Sequence, residues 1–288
     1  MLIRKAAVVI LLVLFLTPQA NAEYKLVPTG VLDAKQIETA VSFGYERIKE
    51  DFTFYNSSFG TVSGSTDLNT FYSTFFLRVG LGSGFEVKAG IPYVFTNKAT
   101  YTYNGFGEIT DDGDGGFEDF SLSGKYLVLD ENKYPFSLAV GLGIKFNNAN
   151  ATGPISSGDS TDFKPFLSAS KKIGTSFTPY VTYIASLRDN NDYRDSHCLV
   201  LGSEIKLNES VKLNPEFAVR FYTESPAWDS SKEYSFSLSA SIQASRNFYL
   251  IPSIGIITGE TSQYKLYPYA KYDNQKQVGG ALSFNYLW

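Results

Sequence analysis

The chain has 288 residues, with 25 Lys plus Arg against 29 Asp plus Glu and a formal net charge of −4. It shows no basic stripe of the kind a nucleic-acid binder carries. A single His (His197) and a single Cys (Cys198) exclude multi-Cys/His zinc sites, disulfide frameworks and Cys-x-x-Cys redox motifs. Aromatic residues reach 16% and charged residues only 19%, with 23 Phe and 20 Tyr against one Met. That balance suits many strands with one wet and one greasy face rather than soluble helices.

The N-terminus reads as a targeting segment. Arg4 and Lys5 precede the unbroken apolar run Ala6 to Leu16, and Ala20-Asn21-Ala22 has the small-x-small form of a signal-peptidase site. The run is too short for a spanning helix of ~20 residues, so cleavage after Ala22 is expected rather than a retained anchor. No Cys follows it to carry a lipid. Losing Arg4 and Lys5 takes the net charge from −4 to −6.

Beyond Ala22 no apolar run can cross a bilayer as a helix. A period of two recurs instead, the mark of strands. Phe136, Leu138, Val140, Leu142, Ile144 and Phe146 alternate with Ser137, Ala139, Gly141, Gly143 and Lys145. Val211, Leu213, Pro215, Phe217, Val219 and Phe221 alternate with Lys212, Asn214, Glu216, Ala218, Arg220 and Tyr222, and Tyr234 to Ile242 alternates with four serines. Twelve such segments are predicted, at about 36–48, 68–81, 84–97, 117–129, 134–147, 161–172, 175–188, 196–207, 210–223, 233–245, 248–258 and 277–288.

Their connections alternate in length. Gly82-Ser83, Asp130 to Lys133, Ile173-Gly174, Asn208-Glu209 and Arg246-Asn247 are turn-like, and the others run to about eight to twenty polar residues. Short periplasmic turns alternating with long external loops define an outer-membrane barrel, and in hydrocarbon a sheet can span only by closing on itself. The expectation is an all-β, transmembrane, antiparallel up-and-down barrel of twelve strands, with ten or fourteen as alternatives because the first segment and 261–273 are least regular. The last strand alternates from Val278 to Trp288 and ends on an aromatic residue. Such an ending looks like the signal read by the barrel assembly machinery. Pro92, Pro165, Pro179, Pro215 and Pro252 fall inside segments, so bulges are expected there.

Residues 84–188 carry a family resemblance. Gly84-Phe85-Glu86-Val87 with Ile91-Pro92-Tyr93, Gly116-Phe117-Glu118-Asp119 followed by Lys125-Tyr126, Gly141-Leu142-Gly143-Ile144-Lys145-Phe146 and Thr161-Asp162-Phe163 together resemble the outer-membrane family labelled "MetA-pathway of phenol degradation". Glu118 stands where that family has the second Gly of Gly-Phe-Gly-Asp. The resemblance implies a transporter of hydrophobic or aromatic compounds.

Taking the polar set of each strand as inward gives the pore-lining candidates Arg78, Glu86, Lys88, Asp119, Lys125, Lys145, Glu204, Lys206, Lys212, Glu216 and Arg220. With both signs present, they either tune passage of a solute or brace the wall as internal ion pairs. Twelve strands lie between the filled eight-stranded barrel and the open sixteen-stranded one, so a narrow or plugged lumen is expected, with room left by Ala139, Gly141, Gly143, Ser235, Ser237, Ser239, Gly279 and Ala281. His197 beside Ser196 suggests a hydrolase only weakly, because adjacent strand residues face opposite ways. Asp111, Asp112 and Asp114 could serve an outer-membrane protease mouth or a calcium ion, although Asp112-Gly113-Asp114-Gly115 lacks the full twelve-residue loop. Tyr101, Tyr103, Tyr264, Tyr267, Tyr269 and Tyr272 read as girdle or mouth residues. No catalytic residue, metal or cofactor is expected. The expected partners are outer-membrane lipid and lipopolysaccharide, the assembly machinery through the Trp288 strand, and a small solute, with no nucleic acid. A passive channel is the expectation. A plugged structural or adhesive barrel, or a hydrolase, is the alternative.

Overall fold

The computed structural model describes residues 26–58, 60–151, 160–190, 192–266 and 269–288. The export segment expected at 1–22, and Tyr267, lie outside them. The described residues form fifteen strands and no helix: β1 (Ile37–Asn56), β2 (Gly60–Gly82), β3 (Phe85–Tyr103), β4 (Gly107–Gly113), β5 (Gly116–Phe117), β6 (Ser121–Leu129), β7 (Ser137–Lys145), β8 (Asp162–Ser170), β9 (Phe177–Arg188), β10 (Ser196–Lys206), β11 (Val211–Tyr222), β12 (Ser231–Gln243), β13 (Phe248–Gly259), β14 (Ser262–Tyr264) and β15 (Ala270–Leu287). Twelve of them make a closed antiparallel wall in chain order, and β15 returns to β1 from Glu38 opposite Leu287 to Phe54 opposite Ala270. β4 and β5 lie on β3, and β14 lies on β15. Closure leaves the wall with no unpaired edge, which is what hydrocarbon demands of a sheet.

Burial is inverted relative to a water-soluble protein. Phe75 is 42% exposed, Leu201 51% and Ile254 60%, whereas Glu38, Ser168 and Asn285 are fully buried. The large apolar side chains ring the outside, and the polar residues of opposite parity face the lumen, the division a barrel in lipid requires. Among buried residues the apolar cluster is small: Leu32, Tyr249 and Leu287, with Leu26 and Ile251 against it.

Four neighbouring strands are longer than expected. β15, β1, β2 and β3 have 18, 20, 23 and 19 residues, against the 9–11 that cross a bilayer when tilted. The segment 49–67 is therefore not a long loop. It continues the β1–β2 hairpin, paired from Ile37 opposite Val79 to Asn56 opposite Gly60. On β1 the outward face changes from Val41, Phe43 and Tyr45 to Arg47, Lys49 and Asp51. The apolar belt ends there, and at about 3.3 Å per residue the hairpin rises roughly 30 Å beyond it. The irregularity expected at Pro92 is present, with residues 118–120 lying opposite 91–92 between the Gly90–Ser121 and Tyr93–Phe117 pairs, whereas the other prolines bring no bulge. The ladder loses pairs beside Pro165, Pro215 and Pro252 but keeps its register, because these prolines lack a donor without adding a residue. The register shifts at other places, including between Phe71 and Tyr72 and between Leu127 and Leu129.

Candidate functional site

The lumen is the candidate site, and strand parity builds it. Large inward rings lean over glycines on the next strand. A Cβ on Gly141 would sit 2.3 Å from the Phe166 ring, and one on Gly202 would sit 2.4 Å from Tyr180. These glycines let two aromatic side chains lie flat along the wall rather than across the opening.

The eleven inward candidates all have the parity opposite to the apolar belt, and most are braced against a partner. At the short-turn end Arg78 Nε lies 2.8 Å from Glu38 and 3.7 Å from Glu86, and Lys125 lies 3.4 Å from Glu86. Lys212 meets Glu204 at 3.3 Å, and Lys206 meets Glu209 on the adjoining turn at 3.3 Å. Toward the long-loop end Lys145 holds Asp119 at 2.8 Å, and Arg220 holds Glu233 at 3.4 Å. Glu216 has no cation in this set; it accepts from Tyr180 Oη at 2.6 Å and from Ser237 Oγ at 3.2 Å. Lys88 stands over the Phe76 ring at 4.3 Å. The brace role is thus filled by pairs whose second members the sequence reading passed over: Glu38, Asp162 with Lys164 and Arg188, and Glu233. Parity would have found them, since Asp162 and Lys164 alternate with Phe163 and Glu233 precedes Tyr234.

A strap crosses the short-turn end. The chain ahead of β1 runs inside the barrel mouth, held by residues from strands far apart in sequence. Leu26 N donates to Glu204 Oε2 at 3.2 Å, Thr29 Oγ1 meets Ser170 Oγ at 2.6 Å, and Leu32 N donates to Glu86 Oε2 at 2.9 Å. Lys125 Nζ donates to the carbonyls of Pro28 at 3.1 Å and Gly30 at 2.5 Å. Leu32 caps this on Tyr249 and Leu287. A cavity of 610 Å³ remains beside the strap, lined by Val27, Thr29 to Ala34, the turns at 82–84 and 130–132, and Lys172, Glu204, Lys206 and Lys212. Nothing periodic in 26–34 announces this in the sequence.

The long-loop end is aromatic. Trp228, between β11 and β12, lies 5.0 Å from Tyr264 and 5.7 Å from Tyr272, and Arg194 sits 5.2 Å over its ring. Phe52 and Phe54 pack on Tyr103 at 5.4 and 6.4 Å. In this aromatic cluster above the belt, burial raises the Glu50 carboxyl above its ordinary value and raises the Tyr101 and Tyr272 phenols. Tyr269 remains exposed.

The other candidates are dispersed. His197 Nδ1 is 2.7 Å from Tyr183 Oη with the two rings stacked. Both share the parity of the outward Val181 and Leu199, while Ser196 faces inward and is buried. Nucleophile and base are therefore not brought together. Asp111 and Asp112 lie on β4, with Asp112 paired to Lys98 at 3.4 Å. Among the described residues no group of three or more His, Cys, Asp or Glu is placed to hold a metal.

A closed twelve-stranded wall, greasy outside and charged within, defines a membrane-spanning β-barrel. No protein-family model and no curated protein matches the chain. Among solved structures it is similar to an outer-membrane channel from Pseudomonas putida F1, at TM-score 0.60 and 11% identity, covering 92% of this chain and 100% of that one. It also resembles the NanC porin (TM-score 0.49, 12% identity, 86% and 98% covered) and the outer-membrane protease OmpT from Escherichia coli (0.43, 10%, 90% and 100%). At these identities the likeness is one of fold.

Proposed function

We propose that the chain is an outer-membrane channel for small solutes, with the short-turn end and its strap facing the periplasm and the aromatic cluster facing outward. The observation that carries this reading is the lumen itself, a charged and polar interior in a closed wall, with a cavity of 610 Å³ beside the strap that crosses one end. The resemblance of 84–188 to the phenol-degradation family, together with Trp228, Tyr264, Tyr272 and Tyr103 at the mouth, supports aromatic or hydrophobic solutes. Export through a segment cleaved after Ala22, and insertion by the assembly machinery through the final strand, complete the reading. In support of the latter, Trp288 folds back on the first strand, its backbone N donating to Ile37 O at 2.8 Å.

The strap favours one second reading, a plugged scaffold whose loops do the work. Single-channel conductance of the refolded mature chain in planar bilayers separates the two. Steady current that phenol partly blocks is the expected result. A heat-modifiable, folded barrel that never conducts overturns the channel reading and leaves the scaffold.

A further inference from the structure

Among the described residues each inward cation of the wall except Lys88 has a carboxylate within 4 Å. Arg78, Lys125, Lys145, Lys164, Arg188, Lys206, Lys212 and Arg220 are all paired. Lys88 is open to the lumen, and its ammonium rests on the Phe76 ring at 4.3 Å. It lines a recess of 170 Å³ with Arg78, Glu86, Ser123, Lys125 and Phe166, directly above the strap. Glu86, the one acid in the recess, is already engaged by Arg78, Lys125 and Leu32 N, and Glu38 is engaged by Arg78. Three cations against two carboxylates leave one positive charge uncompensated.

We infer that this recess binds a small monocarboxylate, its carboxylate on Lys88 and its carbon skeleton against Phe166. Lys88 is paired in register with Ser123 across β3 and β6, so an ammonium and a hydroxyl donate from one edge, suiting the two oxygens of a carboxylate. One free positive charge matches a monoanion; a dianion would bring a second negative charge into a site that already holds Glu86. The space equals roughly five or six waters at about 30 Å³ each, which admits a small acid and turns away a long chain. The two aromatic rings favour an apolar body over a hydrated inorganic ion.

This site deepens the channel reading and rests on it for its physiological meaning, but its test does not need current. Benzoate and phenol are titrated calorimetrically into the folded mature chain in detergent, for the parent, Lys88→Gln and Lys88→Arg, each checked for heat-modifiable migration. Benzoate is expected to bind the parent and Lys88→Arg within threefold of each other and Lys88→Gln at least tenfold more weakly, with phenol indifferent to all three. A second variant, Ser123→Asp, supplies Lys88 with an internal carboxylate and is expected to abolish benzoate binding even if Lys88→Gln fails to fold. Benzoate binding that is absent in the parent, or unchanged in Lys88→Gln or Ser123→Asp, overturns the site. A barrel that binds benzoate in this pattern but carries no current keeps the site and refutes the channel.

Discussion

Replacing Lys125 by Met should free the strap. The strap is close to balance. Ordering residues 26–34 costs about 1–2 kcal/mol each, roughly 9–18 kcal/mol in all. Against this stand four hydrogen bonds to charged groups, two from Lys125 and one each to Glu86 and Glu204, at about 1.5–3 kcal/mol apiece. The neutral Thr29–Ser170 contact adds about 1 kcal/mol, and burial of Leu26 and Leu32 adds about 3–6 kcal/mol. The two sides agree to within a few kcal/mol, so a single anchor decides occupancy. Lys125 is only 13% exposed, so solvent screening discounts its bonds little, and losing both removes about 3 kcal/mol or more. At 1.4 kcal/mol per tenfold, the equilibrium constant for release rises about a hundredfold. Hydrogen exchange of the 26–34 peptide, read by mass spectrometry on the barrel in detergent, should accelerate accordingly, and single-channel current should rise with it. Lys145→Met, which breaks an inward ion pair far from the strap, is the control and should leave that peptide unchanged. Exchange at 26–34 that is the same in Lys125→Met and the parent would show that Lys125 does not hold the strap.

Other consequences are as specific. Asn97 is buried and neither atom of its amide finds a partner, and Thr70 Oγ1 opposite it is also unpartnered; Asn97→Leu should raise the unfolding free energy read from a urea titration by about 1–2 kcal/mol, since each unmet group costs about that much. Gly141→Val meets the Phe166 ring and the Gly124 carbonyl and should cost about 1–3 kcal/mol of overpacking, seen as a lower temperature of heat modification, with Phe166→Ala restoring part of it. On the hairpin above the belt, the hydrogen bond from Arg47 holds the Asp67 carboxyl below its ordinary value of 3.8. A depressed pKa stabilises the fold above that value and is lost as pH falls through the lower folded one. Amide signals of 46–70 should therefore weaken below about pH 4 in the parent and show no such step in Asp67→Asn. Both partners are partly exposed, so the effect is small; a step of equal size in Asp67→Asn would exclude this pair as its source.

The twelve wall strands and the facing of their side chains are legible in the sequence, because inside hydrocarbon the two faces of a strand meet opposite solvents and a slip of one residue is costly. The same physics explains what is not legible. Beyond Tyr45 the β1–β2 hairpin has water on its outer face, so Arg47, Lys49 and Asp51 replace the apolar set and the alternation that marks a strand fades. The Tyr-rich stretch at 261–273 contributes β14 and the start of β15; without an apolar period the sequence leaves open whether it is loop or an extension of the last two strands. The strap is harder still. Its partners Glu86, Lys125, Ser170 and Glu204 come from β3, β6, β8 and β10, and no local pattern in 26–34 encodes contacts that exist only once the barrel has closed.

The positions of these features along the lumen bear on how a solute would pass. The aromatic cluster lies above the belt, the Lys88 recess lies near the short-turn end, and the strap lies just beneath it. Glu86 belongs to both lower features, accepting Leu32 N from the strap while facing Lys125 and Arg78 in the recess. Lys125 does the same, lining the recess and donating to Pro28 and Gly30. An anion drawn onto Lys88 therefore sits among charges that also hold the strap. It competes with Glu86 for Lys125, and each hydrogen bond Lys125 gives to the anion is one it withdraws from Glu86 or from the strap carbonyls. Because the strap is balanced to a few kcal/mol, occupancy of the recess and release of the strap are coupled through these two side chains. By reciprocity, saturating benzoate should speed hydrogen exchange of 26–34 in the parent and leave it unchanged in Lys88→Gln, a linkage that independent sites would not show.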